Sequence, residues 1–474
     1  MTICRIVLDS YDGPFSTQNL DIQLDTVQTS PSNRILLLPE PGGGGPPIEI
    51  VITVPSNNWS IPTSTSSHIR LTGPAGTVLD VEWNDGGTNT YTMTGSPVSL
   101  SHTYATAGNY TITINTDTDQ LTAISTRVVP TQIETDIIPA NITNLSFNSN
   151  SPLVGLTGAI SNLPTNLTDL GMTSNDYSSL TGTIAQFGSS LEFLNFSNGS
   201  ADNTAITGTI ANLASSALTW ISFDRFINLT GTIDSFASTQ TTLETLNLED
   251  NGNITGSISN LPSTMRIIYI RNQTGIAGNI SSLASGLWTL YLNNISTTLT
   301  GSISSLPSGL ESLTIISAGT NLTGSINSLP TSLHTCILTS VNTGNNLTGS
   351  LDGTLPANLA SFELIGVGSG MTGGNIANLS NCRSVELTGF SCSYSYTSTT
   401  WTRTGIYLIR ILPAATYGLT TTQVDNLLID LSTAPWAGSG TRILNLGGNN
   451  SARSAASDSA VAILLGLGVT VTTN

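Results

Sequence analysis

The sequence predicts a mainly β protein: a repeat solenoid preceded by a small β-sandwich and closed by a short α/β segment. Three observations predict it. An L-T-G-x-I motif recurs around Gly158, Gly182, Gly208, Gly231, Gly256, Gly278, Gly301, Gly324, Gly349 and Gly373, with spacings of 22 to 26 residues. A second motif, L-x-x-L-x-L, precedes each one in phase. Upstream, short apolar runs such as IEIVITV, HIRLTG, VLDVEW and YTITI recur at about the ten-residue spacing of a β-sandwich.

The repeat carries its own physical argument. In L-x-x-L-x-L the last two apolar residues are two apart, so they point to one face of a strand. The central positions are Leu145, Leu170, Leu194, Ile221, Leu246, Ile268, Leu290, Leu313, Cys336, Phe362, Val385 and Ile409. A single short strand cannot bury its apolar side, so stacked neighbours must share one core. The L-T-G-x-I segment supplies a second extended stretch, with Gly allowing a turn that other residues resist. Leu-Pro pairs (Leu163-Pro164, Leu261-Pro262, Leu306-Pro307, Leu329-Pro330, Leu355-Pro356) close each coil on its outer side. The pattern closely resembles the leucine-rich-repeat family in its plant-type form, which implies a solenoid over residues 139–404. The family's turn Asn is matched by Asn150, Asn175 and Asn251, whereas Phe226, Val341 and Val367 stand in its place elsewhere, so irregular turns are expected.

Residues 1–38 alternate apolar and polar types and are expected to form a β attachment element. The Pro/Gly run at 39–47 is its linker. Residues 48–130 contain Trp83-Asn84-Asp85-Gly86, Ser101-His102-Thr103-Tyr104 and Gly108-Asn109-Tyr110-Thr111-Ile112. These resemble a PKD-type immunoglobulin-like domain, which implies a β-sandwich used as a spacer. His102 is expected to pack on its strand and Asp85 to serve its turn. Residues 405–474 change character. Val424, Leu427, Leu428 and Leu431 form a helical stripe, TRILNLGGNN repeats the strand motif, SAASDSAVAILLGLG reads as a second helix and VTVTT as a final strand. This is the expected α/β cap, and it resembles the ends of phage fibre proteins.

Composition narrows the function. Charged residues make up only 9%, and 29 acidic residues oppose 12 basic ones, all of them Arg, for a net charge of −17. A lysine-free acidic surface argues against nucleic-acid binding, which needs basic patches. No stretch approaches the roughly 18 apolar residues of a membrane-crossing helix, so no membrane insertion is expected. The opening MTICRIVLDSYDG lacks the form of a secretory leader, so glycosylation of the sequons at Asn166, Asn228, Asn253, Asn321 and Asn346 is not expected. Cys4, Cys336, Cys382 and Cys392 lack metal-ligand spacing, and Cys382–Cys392 is the one candidate disulfide. His68, His102 and His334 fall in different modules, and no nucleophile, metal or phosphate motif is present. No catalytic residue, metal or cofactor is expected. Glu363 and Glu386 occupy equivalent positions of adjacent coils and are read as two solvated acids, with a glycoside-cleaving pair as the alternative.

The candidate ligand-binding surface is the outward face of the strands. It comprises Phe193 and Asn195, Trp220 and Asp224, Asn247 and Glu249, Tyr269 and Arg271, and Tyr291 and Asn293. Exposed aromatics beside amides and carboxylates suit carbohydrate or protein contact. The expected function is that of a non-enzymatic structural and adhesive protein. We expect a phage virion fibre or decoration protein contacting host or glycan, held to other copies or to virion proteins through its N-terminal element. The alternatives are a prokaryotic surface adhesin or filament subunit and, third, a polysaccharide-acting enzyme.

Overall fold

The computed structural model describes residues 47–474, apart from 55, 62–67, 128–130, 155, 198, 200, 214, 297, 317–320, 340–345, 367–369, 390–391 and 415–417. The attachment element at 1–38, nearly all of the linker and Cys4 therefore lie outside the described residues, as do Val341 and Val367. The side chains of Asn150 and Asn175 are also outside the description.

The chain is mainly β and winds as a repetitive stack. Each coil contributes one strand to each of two parallel sheets. On the first sheet, Phe193–Ser197, Trp220–Asp224, Thr245–Glu249, Ile267–Arg271 and Thr289–Asn293 pair in unbroken register, as in Leu194↔Ile221, Leu246↔Ile268 and Leu290↔Leu313. The alternate residues Leu246, Leu248, Ile268, Ile270, Leu290 and Leu292 are buried in the shared core. The L-T-G-x-I segments form the second sheet, for example Leu229–Thr232, Asn253–Ser257 and Gly275–Asn279. A short 3-10 turn follows, such as Ile258–Asn260. The proline after it then starts the turn into the next coil, with Met265 N–H donating to Pro262 O at 3.2 Å.

Two polar ladders explain residues that hydrophobic periodicity leaves unexplained. The Thr of L-T-G donates its hydroxyl to the Gly carbonyl one coil back: Thr230 to Gly208, Thr255 to Gly231, Thr323 to Gly301 and Thr348 to Gly324, at 3.2–3.4 Å. Behind it, a side chain two residues past the motif's x position accepts from the x-position backbone N–H of the next coil. The series runs Asp234 to Ser257, Ser259 to Asn279, Ser281 to Ser302, Ser304 to Ser325 and Asn327 to Ser350, at 2.7–2.9 Å. Both ladders satisfy groups that a stacked edge leaves open. They also leave no room at the glycine. Gly256 has φ +119°, and a Cβ there would sit 2.5 Å from Thr232 Oγ1 and 3.0 Å from Ile233 N.

The turn after six of the first-sheet strands opens with a left-handed residue: Arg225, Asp250, Asn272 and Asn294, and Gly366 and Gly389 further on. The next position points inward and is filled by Phe226, Asn251, Gln273 and Ile295 in successive coils, all buried. Asn251 serves two coils: its Nδ2 donates to Phe223 O, and its Oδ1 accepts from Phe226 N–H at 2.9 Å. A buried Phe can therefore occupy the turn because the following Asn satisfies its backbone.

Both sheets continue upstream without a break. Ala123–Thr126 pairs in parallel with Asn144–Val154, and Thr131–Glu134 with Leu156–Ala159. The same strands run antiparallel to Ile69–Thr72 and Ile48–Val54. The two layers of the 48–126 unit enclose Ile50, Leu71, Val81, Trp83, Ile112 and Ile124, and this unit covers the open end of the first coil. In it, His102 stacks on Trp83 with centroids 4.6 Å apart, and its Nε2 lies 2.7 Å from Asp85 Oδ2. Asp85 Oδ1 accepts from Gly87 N–H, closing the turn.

Downstream, Leu408–Leu412, Ile443–Leu446 and Thr470–Thr473 extend the first sheet, still parallel. The helix Thr421–Ser432 starts at a capping box between Thr420 and Gln423 and buries Val424, Leu427, Leu428 and Leu431. Asp458–Gly466 is the second helix. Among the described residues no helix is long and apolar enough to cross a membrane.

One candidate pairing is decided and one expectation is corrected. Cys382 and Cys392 are free thiols rather than a disulfide; Cys382 is buried and its Sγ lies 3.4 Å from Leu359 O. Glu386 is not a solvated acid: it is buried and paired with Arg410 Nη1 at 2.8 Å. Its neighbour Glu363 accepts from Ser361 and Ser384.

Candidate functional site

Strand alternation sends every second residue of the first sheet outward, and the parallel register aligns them in rows. Phe193 faces Trp220 across one strand pair, with ring centroids 5.4 Å apart. One row further along the strands, Asn195, Ser222, Asn247, Tyr269 and Tyr291 are successive partners. The third row is Asp224, Glu249, Arg271 and Asn293. All ten residues expected on this surface therefore lie on five adjacent strands. Tyr269 and Tyr291 stack face to face, with centroids 4.1 Å apart and ring planes 4° from parallel. Such pairs contribute roughly 0.5–1.5 kcal/mol beyond their buried area.

The middle of the surface is polar and incompletely paired. Asn195 Oδ1, Trp220 Nε1, Ser222 Oγ, Asp224 Oδ1, Asn247 Oδ1 and Arg271 Nε are all shielded from solvent and have no hydrogen-bond partner in the protein. Buried polar groups in folded proteins are nearly always paired, and an unpaired one costs about 1–3 kcal/mol. Six of them lie on four neighbouring strands. Neighbouring side chains seal these atoms, so a ligand reaches them only as those side chains shift.

Asp224 corrects its expected exposure, because it is only 3% exposed. Its Oδ2 accepts from Gly199 N–H at 2.7 Å, while Oδ1 is unpaired. Burial pushes its carboxyl up to about 6, against the partial relief of the Gly199 bond and of Arg225 and Arg271. Carboxylate oxygens of Asp224, Glu249 and Asp250 lie within 4.8 Å of one another. Arg271 answers them: its Nη2 contacts Glu249 and lies 3.2 Å from Asp250 Oδ2. The residue after Asp224 carries strain, since Arg225 has φ 62°, a left-handed conformation unfavourable for a side chain of its kind. Its guanidinium is tied to Asp202 at 3.2 Å.

Alternation missed some members of the site. Ser222 stands between Asn195 and Asn247 in the second row, at an alternate position of its strand, but its small side chain gave no reason to single it out. Asp250 belongs to the turn, not the strand. Trp288 is 49% exposed at the strand's N-terminal margin, with Arg266 Cζ 5.0 Å from its ring centroid and Arg266 in turn paired with Glu244 at 3.2 Å. It occupies the first x of L-x-x-L-x-L, a signal that was available in the motif.

Chemically, the surface offers flat aromatic faces, amide and carboxylate acceptors and one paired guanidinium. No protein-family model matches the chain, and no curated protein matches it.

Proposed function

We propose that this is a non-enzymatic adhesive protein of the leucine-rich-repeat type, displaying its first sheet to a cell-surface glycan. In our reading it belongs to a virion fibre or decoration protein, with the PKD-like unit next to the attachment end. The carrying observation is the row of unpaired buried polar atoms between the Phe193–Trp220 and Tyr269–Tyr291 stacks. Aromatic faces stack on the C–H faces of sugar rings, and amide and carboxylate oxygens accept from hydroxyls. The low-charge, Ser/Thr/Asn-rich composition supports a surface setting. The acids Glu363 and Glu386 are held by Ser384 and Arg410, which suits a structural role better than proton transfer.

The test is binding of the purified protein to a broad array of microbial surface glycans, beside the Trp220→Ala/Tyr269→Ala double variant. The expected result is retention of one glycan class by the wild type, with at least about a hundredfold loss in the folded variant, two hot-spot aromatics being removed. Equal retention by both proteins would place recognition elsewhere and overturn the reading.

A further inference from the structure

Resting on that glycan reading, we infer that the ligand is an extended, non-acidic polysaccharide lying along the ladder, across the strands, and touching both aromatic stacks at once. The two stacks are not one patch. Phe193 and Trp220 sit in the first row of two adjacent strands, and Tyr269 and Tyr291 in the second row of two others, with the Thr245–Glu249 strand between. From the Trp220 strand to the Tyr269 strand is two strand spacings, about 10 Å at the usual 4.8 Å, and from the Phe193 strand to the Tyr291 strand four, about 19 Å. A single sugar ring covers one stack and leaves the other bare, so only a chain of several rings engages both.

The polar atoms between the stacks define the chemistry. Asn195 Oδ1, Asn247 Oδ1 and Asp224 Oδ1 are acceptors, Trp220 Nε1 and Arg271 Nε are donors, and Ser222 Oγ can act as either. Hydroxyl groups, which both donate and accept, suit such a mixed strip. The third row carries Asp224 and Glu249, with Asp250 beside them in the turn, against a single Arg271 that is already engaged by Glu249 and Asp250. A uronate or sialylated chain would bring like charge against these groups with no free guanidinium to receive it.

The experiment is titration calorimetry of the full protein with neutral glucan, mannan, galactan and chitin oligomers from dimer to hexamer, and with galacturonate oligomers of matching length. In at least one neutral series the hexamer is expected to bind about tenfold or more tighter than the dimer, because the second stack is engaged without a second association cost. Trp220→Ala should erase that length dependence, while Trp220→Phe should restore most of it. Galacturonate should bind at least about tenfold more weakly. Equal affinity of dimer and hexamer, or preference for galacturonate, overturns this inference and leaves the glycan reading standing. No binding by any oligomer overturns both.

Discussion

Replacing Asp224 by Asn is expected to raise the thermal midpoint at pH 7 while weakening glycan binding about tenfold. The stability gain follows from the sign of the titration. Folded Asp224 holds its proton up to about 6, whereas the unfolded chain releases it near 3.8. Between those values the folded state binds more protons, so stability falls as pH rises through that window and stays lower above it. Asn cannot ionise, and its Oδ1 can still accept from Gly199 N–H, so the variant escapes a penalty on the order of 1–3 kcal/mol. The binding loss follows from removing one unpaired acceptor and one charge, a change of about 1–1.5 kcal/mol. Thermal melts from pH 4 to 7 check the first part: the gap between wild type and variant should open with rising pH. Opposite effects on stability and binding are what a residue kept for function shows. A variant that is destabilised at pH 7 would mean that Asp224 is a structural anchor.

The second large effect is expected at Asn450. Its Oδ1 accepts from Leu419 N–H at 2.9 Å, and its Nδ2 lies 2.7 Å from Ile411 O, 3.0 Å from Leu446 O and 3.2 Å from Gly447 O. It is buried where the last coils meet the helix that begins at Thr421. Asn450→Ala leaves these backbone groups unpaired together, at a cost of about 3–5 kcal/mol. A solenoid's coils contact only their neighbours, so the damage should stay local. Amide exchange across residues 408–474 should accelerate by about a hundredfold or more, while the coils around Thr245–Asn293 keep their wild-type protection.

Much of the scaffold was legible in the sequence because solenoid periodicity is a direct consequence of stacking. The apolar positions of L-x-x-L-x-L must share a core, so Leu194, Leu246 and Leu290 fall on one line and the residues between them on the opposite face. That alternation placed Phe193, Trp220, Tyr269 and Tyr291 together correctly. What was hidden depends on partners one or more coils away. The burial of Asp224 depends on its neighbours in later coils and on Gly199, before the next strand of the second sheet. The Thr230-to-Gly208 and Ser281-to-Ser302 ladders join residues some twenty positions apart, where a single repeat shows only a Thr or a Ser. Pairing of Ala123–Thr126 with Asn144–Val154 is an edge contact, and edges carry no hydrophobic period. The engagement of Glu386 by Arg410 likewise needed the register, which sets those two side chains on adjacent strands.

The most direct test of the central claim, that the first sheet is the recognition surface, is amide exchange with and without a bound neutral polysaccharide. The account predicts slowed exchange in peptides covering Phe193–Ser197, Trp220–Arg225, Thr245–Asp250, Ile267–Asn272 and Thr289–Asn294, with the second-sheet segments Leu229–Thr232 and Asn253–Ser257 unchanged. Protection confined to the second sheet, or to the unit around Trp83 and His102, would contradict it.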